Sequence, residues 1–234
     1  MQPKPKALTY LDIFTVVLFL ISLGMVFFYA PMEAVMGNVQ RVFYYHVAVG
    51  WVGMLSFLAA AIAGILYLRS KDRKWDQFAV AAVEIGVVFT FLNIATGSIW
   101  ARPIWNTWWT WDPRLTTATI MELIYFAYLM LRQGIEDPDR RARFGAVYVI
   151  LGFISVPLTF LSARLFRTIH PVVFGTNQPG AEGDFTMTPE MFHTFLFSLF
   201  TFTFVFIDLM WHRLRLGRFA DQVEQLKLKF SQHS

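Results

Sequence analysis

Six long apolar stretches restrict what this 234-residue chain can fold into. A helix that crosses the roughly 30 Å hydrocarbon core of a bilayer needs about 20 mostly apolar residues. The stretches cover approximately residues 11–30, 41–68, 78–98, 116–131, 144–161 and 191–211. Only 15% of the residues are charged and 25 are phenylalanine, a composition too apolar for the surface of a soluble domain. We therefore predict an all-α polytopic membrane protein with six transmembrane helices, which form a single membrane domain over residues 1–234.

Several classes of chemistry are excluded by what the sequence lacks. The chain contains no cysteine, which excludes disulfides, cysteine-ligated zinc, iron–sulfur clusters and thioether attachment of a cofactor. It also has no Gly-x-x-x-x-Gly-Lys-Ser/Thr sequence, so the chain is not itself an ATPase.

The basic residues are distributed unevenly between the two sides of the predicted bundle. Fifteen of the 20 lysines and arginines flank the spans on the side that carries both termini. The other side carries Arg41, Arg102, Arg114, Arg164 and Arg167. Because loops rich in Lys and Arg stay in the cytoplasm, we predict cytoplasmic termini. Residues 212–234 then form a cytoplasmic tail, in which 214–234 resemble a short, basic amphipathic helix.

The outer segment 99–116, named here the Trp loop, is unusual in composition. Five of the eight tryptophans lie within twelve consecutive residues, at Trp100, Trp105, Trp108, Trp109 and Trp111. The last four have near-helical spacing, which predicts a short helix or a loop with most indoles on one face. Pro103 and Pro113 would start and stop that helix.

Two interpretations of the Trp loop remain open. Tryptophan is enriched wherever a chain meets lipid headgroups, so the loop could belong to an aromatic belt. Alternatively, clustered indoles offer rigid faces for a flat aromatic ligand, and Arg102 and Arg114 could pair with its carboxylates. Haem, a flat macrocycle with two propionates, fits the second interpretation. We expect Asp112 to cap or orient the loop.

At these residues the chain resembles a known family. The segment Trp105-x-x-Trp108-Trp109-x-Trp111-Asp112-x-Arg114-Leu-Thr is similar to the tryptophan-rich WD motif of the haem-handling protein superfamily. Within that superfamily it is most similar to cytochrome c maturation C proteins (CcmC, haem exporter proteins C), which also resemble this chain in length and in their six spans. One departure is Ala101, where family members commonly have glycine.

The resemblance implies a function and a set of partners. It implies an integral membrane subunit that holds haem b at the extracytoplasmic face and delivers it to a periplasmic haem chaperone (CcmE-like) during c-type cytochrome maturation. The partners would be ABC-type subunits (CcmA and CcmB) and a small CcmD-like subunit, in the bacterial inner membrane. The chain would be a delivery subunit and not an enzyme.

Two histidines are candidates for the axial ligands of haem iron. His46 lies about five residues into the second span from its outer end, and His170 follows the fifth span. Haem iron takes imidazoles from both sides of the ring, so two histidines at one membrane face could supply both. A hydrogen-bonded interfacial histidine without metal is the alternative for each. The resemblance favours ligation, since both positions match the sequence contexts of the axial ligands in the C proteins.

Other polar residues carry weaker expectations. Arg164 and Arg167 lie close to His170 in sequence and are candidates to pair with propionates. His193 could be a substitute ligand or a plain interfacial side chain, and Met187 or Met191 could also ligate iron. Ionisable residues at membrane depth are often functional, so Glu84 could line a polar path or contact another subunit. Hydrogen bonding between helices is the alternative for Glu84 and for Glu122.

Two other functions are alternatives to haem delivery. A CcsA-type subunit of a cytochrome c haem-lyase or synthase would usually carry more spans and further histidine pairs. A respiratory b-type cytochrome anchor would need histidine pairs near mid-bilayer on facing helices, and the sequence contains none.

Overall fold

The computed structural model describes residues 3–166, residue 170 and residues 187–231, and they form an all-α bundle. Its helices are α1 (Lys6–Gly24), a π-helical turn (Met25–Tyr29), α2 (Gln40–Ser70), α3 (Arg73–Trp105), α4 (Pro113–Gln133), α5 (Pro138–Gly152), α6 (Ser155–Leu165) and α7 (Pro189–Ser231). Six helical segments are long and apolar enough to cross a membrane. The prediction of a six-span, all-α membrane protein is therefore confirmed.

The fifth span is not one continuous helix. The chain breaks at Phe153 and Ile154, between α5 and α6. Pro157 lies in the first turn of α6, where it has no N–H to donate to the carbonyl of Phe153. The two halves pack differently: α5 lies against α2, α3 and α4, whereas α6 packs mainly against α4. Space is thereby left between α6 and the α2–α3 pair.

Of the two forms that the sequence allowed for the Trp loop, a short helix or a loop, the structure shows the loop. Helix α3 continues through Pro103 to Trp105 and ends where Asn106 adopts a left-handed conformation (φ 53°), and residues 106–112 are not helical. Pro113 does not stop a helix but is the first residue of α4, where its missing N–H costs nothing. The Trp loop therefore consists of the end of α3, a non-helical connection and the start of α4.

The bundle has two ends: the Trp-loop end, and the termini end, where α1 begins and α7 ends. The predicted tail helix is not a separate helix, because α7 runs without interruption from the sixth span to Ser231.

At the termini end, Arg132 makes a two-pronged ion pair with Asp76, at 2.6 and 2.9 Å. Asp72 caps α3 by accepting from the backbone N–H of Lys74 at 3.0 Å, and its hydrogen bond to the Lys74 side chain lowers the pKa of Asp72.

Glu84 is also engaged at the termini end. Its carboxylate accepts from Arg213 of α7, through Nε and through Nη2 at 2.9 Å. The Glu84 carboxylate is thus paired with a side chain of a neighbouring helix. The structure gives no support to the expectation that Glu84 lines a polar path. Glu122 of α4 is half buried, and its Oε2 makes no hydrogen bond within the part of the chain that the structure describes.

Candidate functional site

A cavity of about 420 Å³ lies at the Trp-loop end. Its walls come from α2, α3, α4 and α6, with Phe195 and Leu199 of α7, and the Trp loop and His170 complete the wall. The volume falls in the range of small-molecule and cofactor sites, about 300–1,000 Å³. Helix α6 packs mainly against α4, and the cavity lies between these two helices and the α2–α3 pair.

His46 is buried in the cavity wall on α2. Its Nδ1 lies 3.2 Å from Thr96 Oγ1 and 3.3 Å from Asn93 Nδ2, both on α3. The Asn93 amide also donates to the backbone carbonyl of His46, at 2.8 Å. These contacts need close approach of the two helices. A Cβ on Gly97 would lie 2.9 Å from His46 Cε1, and one on Gly50 would lie 2.8 Å from Asn93 Nδ2.

His170 faces His46 across the cavity. The centroids of the two imidazole rings are 6.2 Å apart, and the ring planes meet at 41°. Residue 170 follows α6, so the direction of α6 and the depth of His46 on α2 together decide this separation. The structure thus brings together the two histidines that were singled out from the sequence.

The five tryptophans divide into two groups. Trp100, Trp105, Trp108 and Trp109 line the cavity, and Trp100 is only 2% exposed. The Trp100 ring lies 5.8 Å from the His46 ring and 5.9 Å from the Trp105 ring, as measured between centroids. Trp111 is 74% exposed, packs edge-on against Trp109 and is not part of the cavity wall.

The candidate arginines also fall into two groups, those that line the cavity and those that do not. Arg114 lines the cavity, donates to the Thr159 carbonyl at 2.7 Å and stacks on Phe160 at 5.8 Å. Arg164 lines the cavity as well, and its guanidinium lies 5.5 Å from the centre of the same Phe160 ring. Two cations therefore flank one aromatic ring in the cavity wall.

Arg102 does not line the cavity. It donates to the Asn106 backbone carbonyl at 2.6 Å and to the Asn106 side chain, and its guanidinium lies 5.9 Å from the centre of the Trp108 ring. These contacts close the last turn of α3, so Arg102 holds the loop in place rather than facing the cavity. Arg167 lies outside the described residues.

Asp112 has the orienting role that was expected of it. Its carboxylate accepts from the backbone N–H of Leu115 at 3.0 Å and so caps the N-terminus of α4. It also accepts from the Thr110 hydroxyl at 3.4 Å. Asp112 thereby fixes the point at which the Trp loop enters α4, and with it the position of Arg114.

The other candidate ligands lie away from the cavity. His193 stacks on Tyr29 of the π-helical turn, and its Nδ1 lies 3.2 Å from the Tyr29 hydroxyl. Met187 and Met191 belong to the apolar cluster around Phe43 and Phe195. None of the three is part of the cavity wall.

Sequence reasoning missed the contribution of α3 to the site. Neither Asn93 nor Thr96 was assigned to the site from the sequence. Threonine in a membrane helix commonly bonds to its own backbone, so its presence alone signals little. The motif Asn93-x-x-Thr96-Gly97 would have been informative only together with the knowledge that α3 packs closely on α2.

These features define a class of protein: a polytopic helical membrane protein with a cavity of tryptophans and histidines at one end of its bundle. The model of one family, CcmC, described as Heme exporter protein C, matches residues 2–229. The chain therefore belongs to the haem exporter protein C family, and the resemblance seen in the Trp loop is confirmed.

Individual relatives agree with this assignment. Heme exporter protein C of Bradyrhizobium diazoefficiens is 36% identical over 141 residues, which are 60% of this chain and 54% of that protein. Heme exporter protein C of Rhodobacter capsulatus is 32% identical over 163 residues, 70% of this chain and 67% of that protein. A putative cytochrome c biosynthesis ccmC-like mitochondrial protein of Marchantia polymorpha is 31% identical over 141 residues, 60% of this chain and 59% of that protein. The chain thus spans between 54% and 67% of the length of these relatives.

Proposed function

We propose that this protein is a membrane subunit that binds haem b in the cavity at the Trp-loop end and passes it to a haem chaperone during c-type cytochrome maturation. The observation that carries the proposal is the pair of facing imidazoles. A metal ion midway between ring centroids 6.2 Å apart lies about 3 Å from each. That distance suits a ring nitrogen bound to a transition metal at about 2.0 Å.

The rest of the cavity wall supports haem as the substrate. Trp100, Trp105, Trp108 and Trp109 offer flat apolar faces for a macrocycle. Arg114 and Arg164 supply positive charge in the same wall, which suits the propionates. When bound, haem brings its own redox-active iron, and the chain's residues only hold, orient and release it.

In the proposed arrangement each group has a separate task. His46 and His170 are the axial ligands, and the cavity-lining tryptophans enclose the ring. Arg114 and Arg164 hold the propionates, with Arg167 a further candidate outside the described residues. Trp111, Arg102 and Asp112 shape the loop around the mouth of the cavity.

The proposal extends to location and partners. The protein lies in the bacterial inner membrane with both termini in the cytoplasm, so the Trp-loop end faces the periplasm. There it hands haem to a CcmE-like chaperone, in a complex with ABC-type CcmA and CcmB subunits and a small CcmD-like subunit. It is a delivery subunit rather than an enzyme. A CcsA-type synthase is not favoured, because the chain belongs to the haem exporter C family.

Orientation is tested by reporter fusions after Arg102 and after Arg140. We expect opposite compartment signals, because the first site lies at the Trp-loop end and the second at the termini end. Identical signals from the two fusions would contradict the six-span orientation.

Axial ligation is tested by replacing each histidine and recording the haem spectrum of the purified protein. His46→Gly and His170→Gly should each lose the six-coordinate spectrum, and added imidazole should restore it by filling the vacancy. His193→Gly is the matched control, since His193 bonds to Tyr29 away from the cavity. The ligand assignment is wrong if His193→Gly loses the spectrum while His170→Gly keeps it.

A further inference from the structure

The imidazole of His46 is held through one of its nitrogens only. Nδ1 contacts Thr96 and Asn93, whereas Nε2 makes no hydrogen bond with any residue that the structure describes. The ring borders the cavity. A neutral imidazole carries one proton, on either nitrogen, and the contacts at one nitrogen decide which tautomer forms. Thr96 and Asn93 therefore determine whether Nε2 presents a lone pair or a proton to the cavity.

The Thr96 hydroxyl is placed to accept a hydrogen bond from this ring. Its Oγ1 lies 2.7 Å from the Leu92 carbonyl oxygen and 3.2 Å from that of Asn93, and in both contacts the hydroxyl must donate. With its hydrogen used there, the hydroxyl has lone pairs left for Nδ1–H of His46. The Thr96 contact thus favours a proton on Nδ1 and a lone pair on Nε2.

Asn93 acts in the opposite direction. Its Nδ2 donates to the backbone carbonyl of His46 at 2.8 Å, which fixes which end of the amide faces the imidazole. An amide N–H bonds to Nδ1 only when that nitrogen has no proton, and the proton then resides on Nε2. The two neighbours of Nδ1 therefore favour opposite tautomers, and the tautomer that forms depends on which of the two contacts is the stronger.

We propose that Thr96 is a positioning residue for the ligand imidazole: Nδ1–H of His46 donates to Thr96 Oγ1, so that Nε2 offers its lone pair to the haem iron. This inference rests on the proposed function, because it takes His46 as an axial ligand. Outer-shell partners of a metal-binding histidine fix its tautomer and raise its basicity, and their loss typically costs about 10–100-fold in metal affinity.

The variant Thr96→Val tests the proposal, since it keeps the shape of the side chain and removes the acceptor. Only the Asn93 amide then remains at Nδ1, which moves the proton to Nε2. We expect haem retention to fall by about 10–100-fold and the reduction potential to rise, because the ligand becomes less basic. Thr96→Ser keeps the hydroxyl, so its haem retention and its reduction potential should both match those of the unmodified protein. Equal haem retention in Thr96→Val and the unmodified protein would overturn the proposal.

A second measurement uses the protein without haem and so does not depend on ligation. Nitrogen NMR of ¹⁵N-histidine-labelled protein in nanodiscs distinguishes the two tautomers, and His46→Gly identifies which signals belong to His46. We expect the Nδ1–H tautomer in the unmodified protein and in Thr96→Ser, and the Nε2–H tautomer in Thr96→Val. The same tautomer in all three would overturn the role of Thr96 even if Thr96→Val binds haem poorly.

The outcomes separate this inference from the proposed function. A six-coordinate spectrum that survives His46→Gly would overturn both, since His46 would not be a ligand. If His46→Gly loses the spectrum but Thr96→Val changes neither tautomer nor haem retention, His46 is a ligand and only the role of Thr96 is wrong.

Discussion

Gly97 gives the most direct test of how α3 supports the His46 side chain. A Cβ at this position would lie 2.9 Å from His46 Cε1 and 3.5 Å from Nδ1. Because carbon atoms pack best at about 3.5–4.0 Å, Gly97→Ala must displace the imidazole by roughly 0.5–1 Å. The contacts of Nδ1 with Thr96 and Asn93 oppose that shift, so the substitution strains the attachment of the ring.

The cost can be divided between folding and binding. An extra methyl group in a well-packed site costs about 1–3 kcal/mol, whereas alanine is favoured over glycine inside a helix by about 1 kcal/mol. We expect the free energy of unfolding to fall by no more than about 2 kcal/mol, the difference between these terms. Haem binding carries a separate cost, because the ligand imidazole must return to the position that the added methyl group blocks. Since each 1.4 kcal/mol is a factor of ten, we expect haem retention to weaken by about 10–100-fold.

The assay pairs haem titration with unfolding of the protein in detergent. Gly24→Ala is the matched control, because this glycine has helical backbone angles and a Cβ there would meet no atom within 4 Å. It should leave haem retention unchanged. Our account of the α2–α3 contact would be refuted if Gly97→Ala retained haem as well as Gly24→Ala did.

Two further predictions each compare a buried residue with an exposed residue of the same type. Trp100→Ala should lower the free energy of unfolding by about 3–5 kcal/mol and abolish haem retention, because Trp100 is buried beside His46, whereas Trp111→Ala should leave stability nearly unchanged. Equal losses of stability would contradict this division of the Trp loop. Asp76→Asn should destabilise by about 3–5 kcal/mol because it leaves Arg132 without its charged partner, whereas Asp72→Asn preserves an exposed helix cap and should change little. Unfolding in detergent measures both pairs, and an Asp76→Asn protein as stable as Asp72→Asn would show that the ion pair does not stabilise the bundle.

The membrane spans were predictable because length and hydropathy suffice to identify them. The stretch at 144–161, for example, lies within the span Pro138–Leu165. Its division into α5 and α6 was not predicted, since membrane helices tolerate proline when neighbouring groups satisfy the freed carbonyls. Hydropathy therefore does not distinguish a straight span from a broken one. Yet the break directs α6 away from α2, and the cavity depends on it.

The sequence analysis left open whether the Trp loop is a short helix or a loop, although the sequence contains signals that decide between the two. Four tryptophans at helical spacing suggested a helix, but spacing alone does not show that the backbone is helical. Asp112 followed by Pro113 is the usual sequence of an N-cap and a first helical residue, and it marks the start of α4. The capping role of Asp112 was expected, and together with Pro113 it would also have placed the non-helical segment directly before α4.

The facing arrangement of His46 and His170 depends on information that no local pattern contains. Topology alone places both residues at the same end of the bundle, which is as far as sequence reasoning extends. Their 6.2 Å separation depends on three features far apart in the sequence: the depth of His46 on α2, the direction of α6 after its break, and the absence of a side chain at Gly97. Each feature looks ordinary alone, because glycines, kinks and polar residues occur in many membrane helices. Only packing of α3 against α2 and of α6 against α4 turns them into one site.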